Sequence, residues 1–85
     1  MSKMKMFKKI MEKSGTTRVV ILTNHYQILG DVYECDECNK DEYINLVSVR
    51  LCNIRDLYDG ICESNYNFDW LHINIDKVLA YSFIK

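Results

Sequence analysis

Proline is absent from this sequence, and glycine occurs only at Gly15, Gly30 and Gly60. Three isolated glycines cannot form the glycine-rich loop that cradles nucleotide phosphates, which excludes the common phosphate-loop motifs. Repeats and low-complexity tracts are also missing, so no stretch has the composition of a linker. With 85 residues the chain has material for one core, and we predict one domain over residues 1–85.

The sequence also lacks an apolar run of about 18 residues or more, the length that a membrane-spanning helix needs. It shows no apolar segment typical of a signal peptide. We therefore expect a soluble, cytoplasmic protein with no membrane partner. Four cysteines could indicate a disulfide framework, but without a secretory signal we expect reduced thiols, buried small residues or metal ligands.

The charges are unevenly distributed although the formal net charge is only −1. Residues 1–13 carry five lysines and one glutamate, whereas residues 31–42 carry six acidic residues and one lysine. A polyanion would be attracted to the first segment and repelled by the second.

Apolar residues near the N-terminus recur at the spacing of one helical face, at Met4, Phe7, Ile10 and Met11. Lysines occupy the other face, and Gly15 supplies a helix stop. This pattern predicts a helix over residues 3–13. The helix could cover one end of a barrel with its lysines in solvent, or it could be a basic surface for nucleic acid or a membrane.

From residue 17 onward the pattern becomes that of β-strands. Strands are predicted at residues 18–23, 27–34, 43–57, 70–76 and 77–84, with a long loop at residues 58–67. The third strand is longer than usual, and Gly30 inside the second marks a bend or bulge. The sequence therefore predicts a mainly β fold, a short N-terminal α-helix followed by a strongly bent five-stranded antiparallel small barrel over residues 17–84, with an SH3-like architecture.

The segment Leu22–Val47 has the most specific residue spacing in the chain. Asn24 forms a turn after Leu22, Gly30 follows an apolar residue by two positions, and Asp36 lies six positions after Gly30. The triplet Tyr43-Ile44-Asn45 then opens the next strand. These offsets resemble the first signature motif of the Sm and Sm-like RNA-binding family, with isoleucine in place of methionine in the triplet.

The resemblance implies a homo-oligomeric ring of roughly five to seven subunits, in which the fourth strand of one subunit pairs with the fifth strand of the next. It also implies a site for single-stranded RNA at the ring pore. There the ring of Tyr43 would stack on a base and Asn45 would bind the base edge, while Asp36 or Asp41 would orient Asn45. Lys8 and Lys9 on the helix would contact phosphates.

This chain departs from the family pattern at three places. Asn74 stands where the second motif has the arginine that covers the other face of the base. The loop before Tyr43 is longer by five residues and more acidic, and Ser48 occupies a core leucine position. Without RNA binding, Tyr43 and Asn45 would simply open a strand and cap a loop.

Cys35 and Cys38 have the two-residue spacing of half a zinc site, with Cys52 and Cys62 as the candidates for completing it. These two lie in a strand and in a distant loop, so we predict no metal and no cofactor. His25 and His72 lack the neighbours that nucleophilic catalysis requires, and we expect no enzyme activity.

The sequence therefore supports three functional hypotheses. The leading hypothesis is a ring-forming Sm-like module that binds single-stranded RNA or supports RNA processing. The alternatives are an Sm-fold protein-interaction or scaffold ring without RNA binding and, more weakly, a small zinc-binding regulatory domain.

Overall fold

The computed structural model describes residues 3–34, 42–53 and 66–84. Within these residues the chain forms one α-helix, α1 (Lys3–Ser14), and five strands. The strands are β1 (Arg18–Leu22), β2 (Tyr26–Val32), β3 (Tyr43–Asn53), β4 (Tyr66–Asn74) and β5 (Ala80–Phe83), with a 3-10 turn (Ile75–Lys77) before the last. The predicted order of one helix followed by five antiparallel strands is confirmed.

Helix α1 buries Met4, Phe7 and Met11 against the sheet. It ends where predicted, because Gly15 takes a left-handed φ of 72° and its N–H donates to the carbonyl of Met11. The expectation for Ile10 is wrong, since its side chain is 39% exposed. The buried face of the helix is therefore narrower than the apolar spacing indicated.

The sheet has the strand order β4-β3-β2-β1-β5, with every neighbouring pair antiparallel. The first and last strands of the barrel segment, β1 and β5, are paired with each other. Strands β4 and β5 are thus the two edges of the described sheet. Edge strands are the elements at which one sheet can pair with a further strand.

Two residues bend the sheet into a barrel. At Gly30 the register between β2 and β3 shifts, and a Cβ atom at this position would lie 3.3 Å from Leu46 and from Val49. At Ser48 the backbone has a φ of 53°. The core side chains of β3 consequently change face there, from Ile44 and Leu46 before Ser48 to Val49 after it. Ser48 itself is exposed, which explains why a core leucine is not needed at this position.

The predicted boundaries are wrong in the last third of the chain. Strand β4 begins at Tyr66, inside the predicted loop of residues 58–67. Residues Ile75–Lys77 form a 3-10 turn rather than strand, and β5 is shorter than the predicted strand 77–84. The third strand is described only to Asn53, so its predicted extension to residue 57 lies outside the described residues.

The core lies between α1 and the concave side of the sheet. Phe7 is 1% exposed, and its ring contacts Tyr81 and Phe83 of β5 at centroid distances of 4.9 and 5.0 Å. Partial burial of Tyr81 raises the pKa of its phenol above the usual value. The helix therefore holds β5 in place through aromatic contacts.

Cys52 is buried at the end of β3 and is disulfide-bonded. The expectation of reduced cysteines is wrong for this residue. Because its sulfur is already bonded, Cys52 cannot serve as a thiolate ligand of a zinc site.

Candidate nucleic-acid interface

The end of β2, the start of β3 and the end of β4 meet at one end of the barrel. In the β3–β4 register, Tyr43 lies opposite Asn74 and Asn45 lies opposite His72. On the other side of β3, the N–H of Tyr33 donates to the carbonyl oxygen of Asn45 at 2.9 Å. Asn45 is therefore the middle residue of three adjacent strands.

A cavity of about 210 Å³ lies between this end of the barrel and α1. The helix contributes its apolar face and one lysine, and the sheet contributes polar and aromatic side chains. The lining residues are Met4, Phe7, Lys8, Met11, Val32, Tyr33, Glu34, Tyr43, Ile44 and Asn45. A cavity lined by apolar, aromatic and amide-bearing residues has the chemistry to accept a nucleobase.

Tyr43 and Asn45 both line this cavity, but they differ in their exposure to solvent. The Tyr43 side chain is 40% exposed, which leaves part of its ring available for stacking. Asn45 is only 7% exposed, and it is buried because strands on both sides cover it. Its Oδ1 lies 2.5 Å from Nδ1 of His72. This short contact joins the two side chains across β3 and β4.

Asn74 is engaged in a local turn. Its side-chain oxygen accepts the N–H of Asp76 at 2.9 Å and caps the 3-10 turn. Asp76 in turn forms an exposed ion pair with Lys3, at 3.2 Å, at the start of α1. Asn74 lies opposite Tyr43 in the β3–β4 register, and it supplies a neutral turn cap where the family motif has a cation.

The structure brings together some of the predicted site residues and separates others. Lys8 lines the cavity with Tyr43 and Asn45. Lys9 is exposed on α1 and does not line that cavity. Asp36, together with the proposed alternative Asp41, lies outside the described residues.

Sequence reasoning missed three residues near this site. His72 holds Asn45, and Tyr33 lines the cavity. The ring of Tyr33 packs edge to face on Trp70, at 5.0 Å between centroids and 86° between planes. Trp70 and His72 are two positions apart and so lie on one face of β4, but only the register with β3 shows which residues they meet.

Neither a metal site nor a membrane-spanning helix occurs among the described residues. No three or more His, Cys, Asp or Glu side chains in residues 3–34, 42–53 and 66–84 are grouped so that they could hold a metal ion. In the same ranges, no helix has both the length and the apolarity to cross a membrane. Cys35, Cys38 and Cys62, the other residues of the zinc hypothesis, lie outside the described residues.

The fold is similar to that of the Sm protein of Pyrococcus abyssii, whose structure was solved in complex with a uridine heptamer. The TM-score is 0.61 at 18% sequence identity, and the match covers 88% of this chain and 93% of the other. No protein-family model and no curated protein matches the sequence. The chain thus has an Sm-like fold, as the residue spacing predicted.

Proposed function

We propose that this chain is a non-enzymatic, ring-forming Sm-like module that binds single-stranded RNA at the cavity between α1 and the start of β3. The comparison supports this proposal through the fold, because the similar Sm protein was solved with a uridine heptamer. The residues that line the cavity also support it.

One observation carries the proposal: Tyr43 and Asn45 line the same cavity, with Lys8 across from them on α1. These residues supply the three contacts that single-stranded RNA requires. An aromatic ring stacks on a base, an amide binds the base edge, and a lysine contacts phosphate. Stacking on one aromatic residue is worth about 1–3 kcal/mol and tolerates many bases.

Ring formation is supported by the two edges of the sheet. Strands β4 and β5 form the opposite edges of the described sheet. Both edges carry large side chains that are substantially exposed in the single chain, namely Tyr66, Phe68, Trp70 and, just before β5, Leu79. Pairing β4 of one subunit with β5 of the next would cover these side chains and close both edges. A ring would also repeat the RNA site around one pore, which raises the avidity for a repetitive RNA.

A second candidate function is a protein-interaction or scaffold ring that does not bind RNA. The observation that favours it is the turn at Asn74, where a neutral side chain replaces the arginine of the family motif. The net negative charge of residues 31–42 also favours the scaffold function, because it repels phosphates.

Binding of a fluorescent uridine heptamer separates the two functions. The titration is run at low and at moderate salt, with light scattering to give the number of chains in the assembly. The RNA-binding module predicts saturable binding at low salt that weakens steeply as salt is added. The scaffold ring predicts the same assembly without binding at either salt concentration.

A further inference from the structure

Helix α1 carries a second apolar pair, apart from the residues that it buries against the sheet. The buried residues are Met4, Phe7 and Met11, whereas Met6 and Ile10 are 44% and 39% exposed. Met6 and Ile10 are four positions apart, so their side chains are neighbours on the helix surface. The residue that the sequence placed in the core, Ile10, thus belongs to an exposed apolar pair.

Two lysines border this pair. Lys9 follows Met6 by three positions and Lys13 follows Ile10 by three, which is the spacing of one helical face. Both lysines are exposed, and neither forms an ion pair with another residue in the part of the chain that the structure describes. We call Met6, Lys9, Ile10 and Lys13 the outer face of α1. It combines two apolar side chains with two positive charges.

The outer face is separate from the RNA site proposed above. None of its four residues lines the cavity at Tyr43 and Asn45, and the lysine that does so is Lys8. The proposed RNA site therefore does not account for the outer face.

The composition of the outer face distinguishes between the partners that a positive surface attracts. An RNA backbone is contacted through its phosphates and gains nothing from covering Met6 and Ile10. A stable protein interface buries about 800 Å² on each partner, which is far more than two half-exposed side chains provide. An anionic lipid surface uses both features, because its headgroups attract lysines and its acyl boundary accepts apolar side chains.

We propose that the outer face of α1 is a peripheral binding site for membrane surfaces that contain anionic lipid. The helix lies flat on the surface, with its lysines at the headgroups and with Met6 and Ile10 at the boundary with the acyl chains. The expectation of no membrane partner rested on the lack of a spanning segment or signal peptide, and a surface contact requires neither. A ring would present one such face per subunit, which strengthens a contact that is weak for a single short helix.

The test is sedimentation of the protein with vesicles of phosphatidylcholine alone or with about 30% phosphatidylserine added. At low salt, wild-type protein is expected to bind the anionic vesicles at least about tenfold more strongly than the neutral ones, and added salt should release it. Lys9→Gln should weaken binding to the anionic vesicles by about fivefold or more. Arg50→Gln is the matched control, because it removes one exposed positive charge from β3, and it should weaken binding by less than about twofold.

The double variant Met6→Gln/Ile10→Gln tests the apolar contribution and separates lipid from RNA. Both residues are exposed and glutamine favours helices, so the variant should keep the fold, which circular dichroism checks. It should bind the anionic vesicles about tenfold more weakly than the wild type. Its affinity for a uridine heptamer should equal that of the wild type, because neither residue lines the cavity.

Four outcomes would overturn the proposal. Wild-type protein could fail to bind anionic vesicles at low salt, or it could bind neutral and anionic vesicles equally. Binding that depends on Lys9 but not on Met6 and Ile10 would show a surface for any polyanion, such as an RNA backbone. A loss of heptamer binding in the double variant would assign the outer face to RNA.

Discussion

Tyr43, the first residue of β3, lies directly opposite Asn74, the last residue of β4. Because directly opposite residues of an antiparallel pair lie on the same face, the two side chains are neighbours, and Tyr43 also lines the cavity. The pair joins the aromatic residue of one signature motif to the position at which the other motif normally carries arginine. Replacing Asn74 by arginine would therefore restore the cation that the family motif has at this position.

Asn74→Arg should tighten binding of a uridine heptamer by about 1–2 kcal/mol, because a guanidinium beside Tyr43 can stack on the base and attract phosphate. The variant also loses the cap of the 3-10 turn, at a cost of about 0.5–2 kcal/mol in stability. Fluorescence anisotropy measures the affinity, and thermal melting measures the stability.

Asn74→Gln is the matched control, since it disturbs the same cap without adding charge. It should lose stability without gaining affinity. An arginine variant that binds no more tightly than the glutamine variant would show that position 74 does not face the RNA.

Leu79→Glu should dissociate the ring. Leu79 is 68% exposed in the single chain and directly precedes β5. Its N–H donates to the carbonyl oxygen of Leu22 at the end of β1, which holds it at the start of the edge strand. Burying a carboxylate between subunits without a partner is strongly unfavourable. Light scattering at micromolar concentration should give roughly five to seven chains for the wild type and fewer for the variant.

Met6→Glu is the control for that experiment, because Met6 is 44% exposed on α1 and belongs to neither edge strand. It should leave the assembly unchanged. A wild-type protein that is monomeric at this concentration would contradict the ring.

Ser48 provides a test of the bend in β3 that needs no ligand. Its φ of 53° lies in the left-handed region, which is especially costly for β-branched residues. Ser48→Val should lower the free energy of unfolding by about 1–2 kcal/mol, whereas Ser48→Gly should change it by less than about 0.5 kcal/mol.

Ser82 is the control position. It is an exposed serine of β5, and its φ is not positive. Ser82→Val should be neutral or slightly stabilising, because valine favours strands. Denaturant unfolding gives all three values. Equal losses of unfolding free energy in Ser48→Val and Ser82→Val would show that the backbone at Ser48 imposes no special cost on valine.

Much of the fold could be predicted from the sequence because local signals and the family resemblance agreed. The helical spacing and Gly15 located α1, and the isolated Gly30 located the register shift. The turn at Ile75–Lys77 was missed because its residues continue the alternation of β4, while the cap by Asn74 that forms it is a side-chain contact. Alternation alone cannot distinguish such a turn from a strand.

The candidate site was only partly predictable. Tyr43 and Asn45 were found from the family motif, and the structure brings both to one cavity. The pairing of Asn45 with His72 could not be found, because it depends on the register of two strands separated by a long connection. The roles of these residues in RNA binding stay predictions.

The most direct test of the account compares Tyr43→Ala with Tyr26→Ala in binding a uridine heptamer at low salt. The two tyrosines are equally exposed, at 40% and 39%, but Tyr43 opens β3 at the cavity whereas Tyr26 opens β2, opposite the far end of β3. Tyr43→Ala should cost about 1–3 kcal/mol in affinity, the contribution of stacking on one base, and Tyr26→Ala should cost nothing measurable. Equal affinities of the two variants, or no binding by the wild-type protein, would contradict RNA binding at Tyr43.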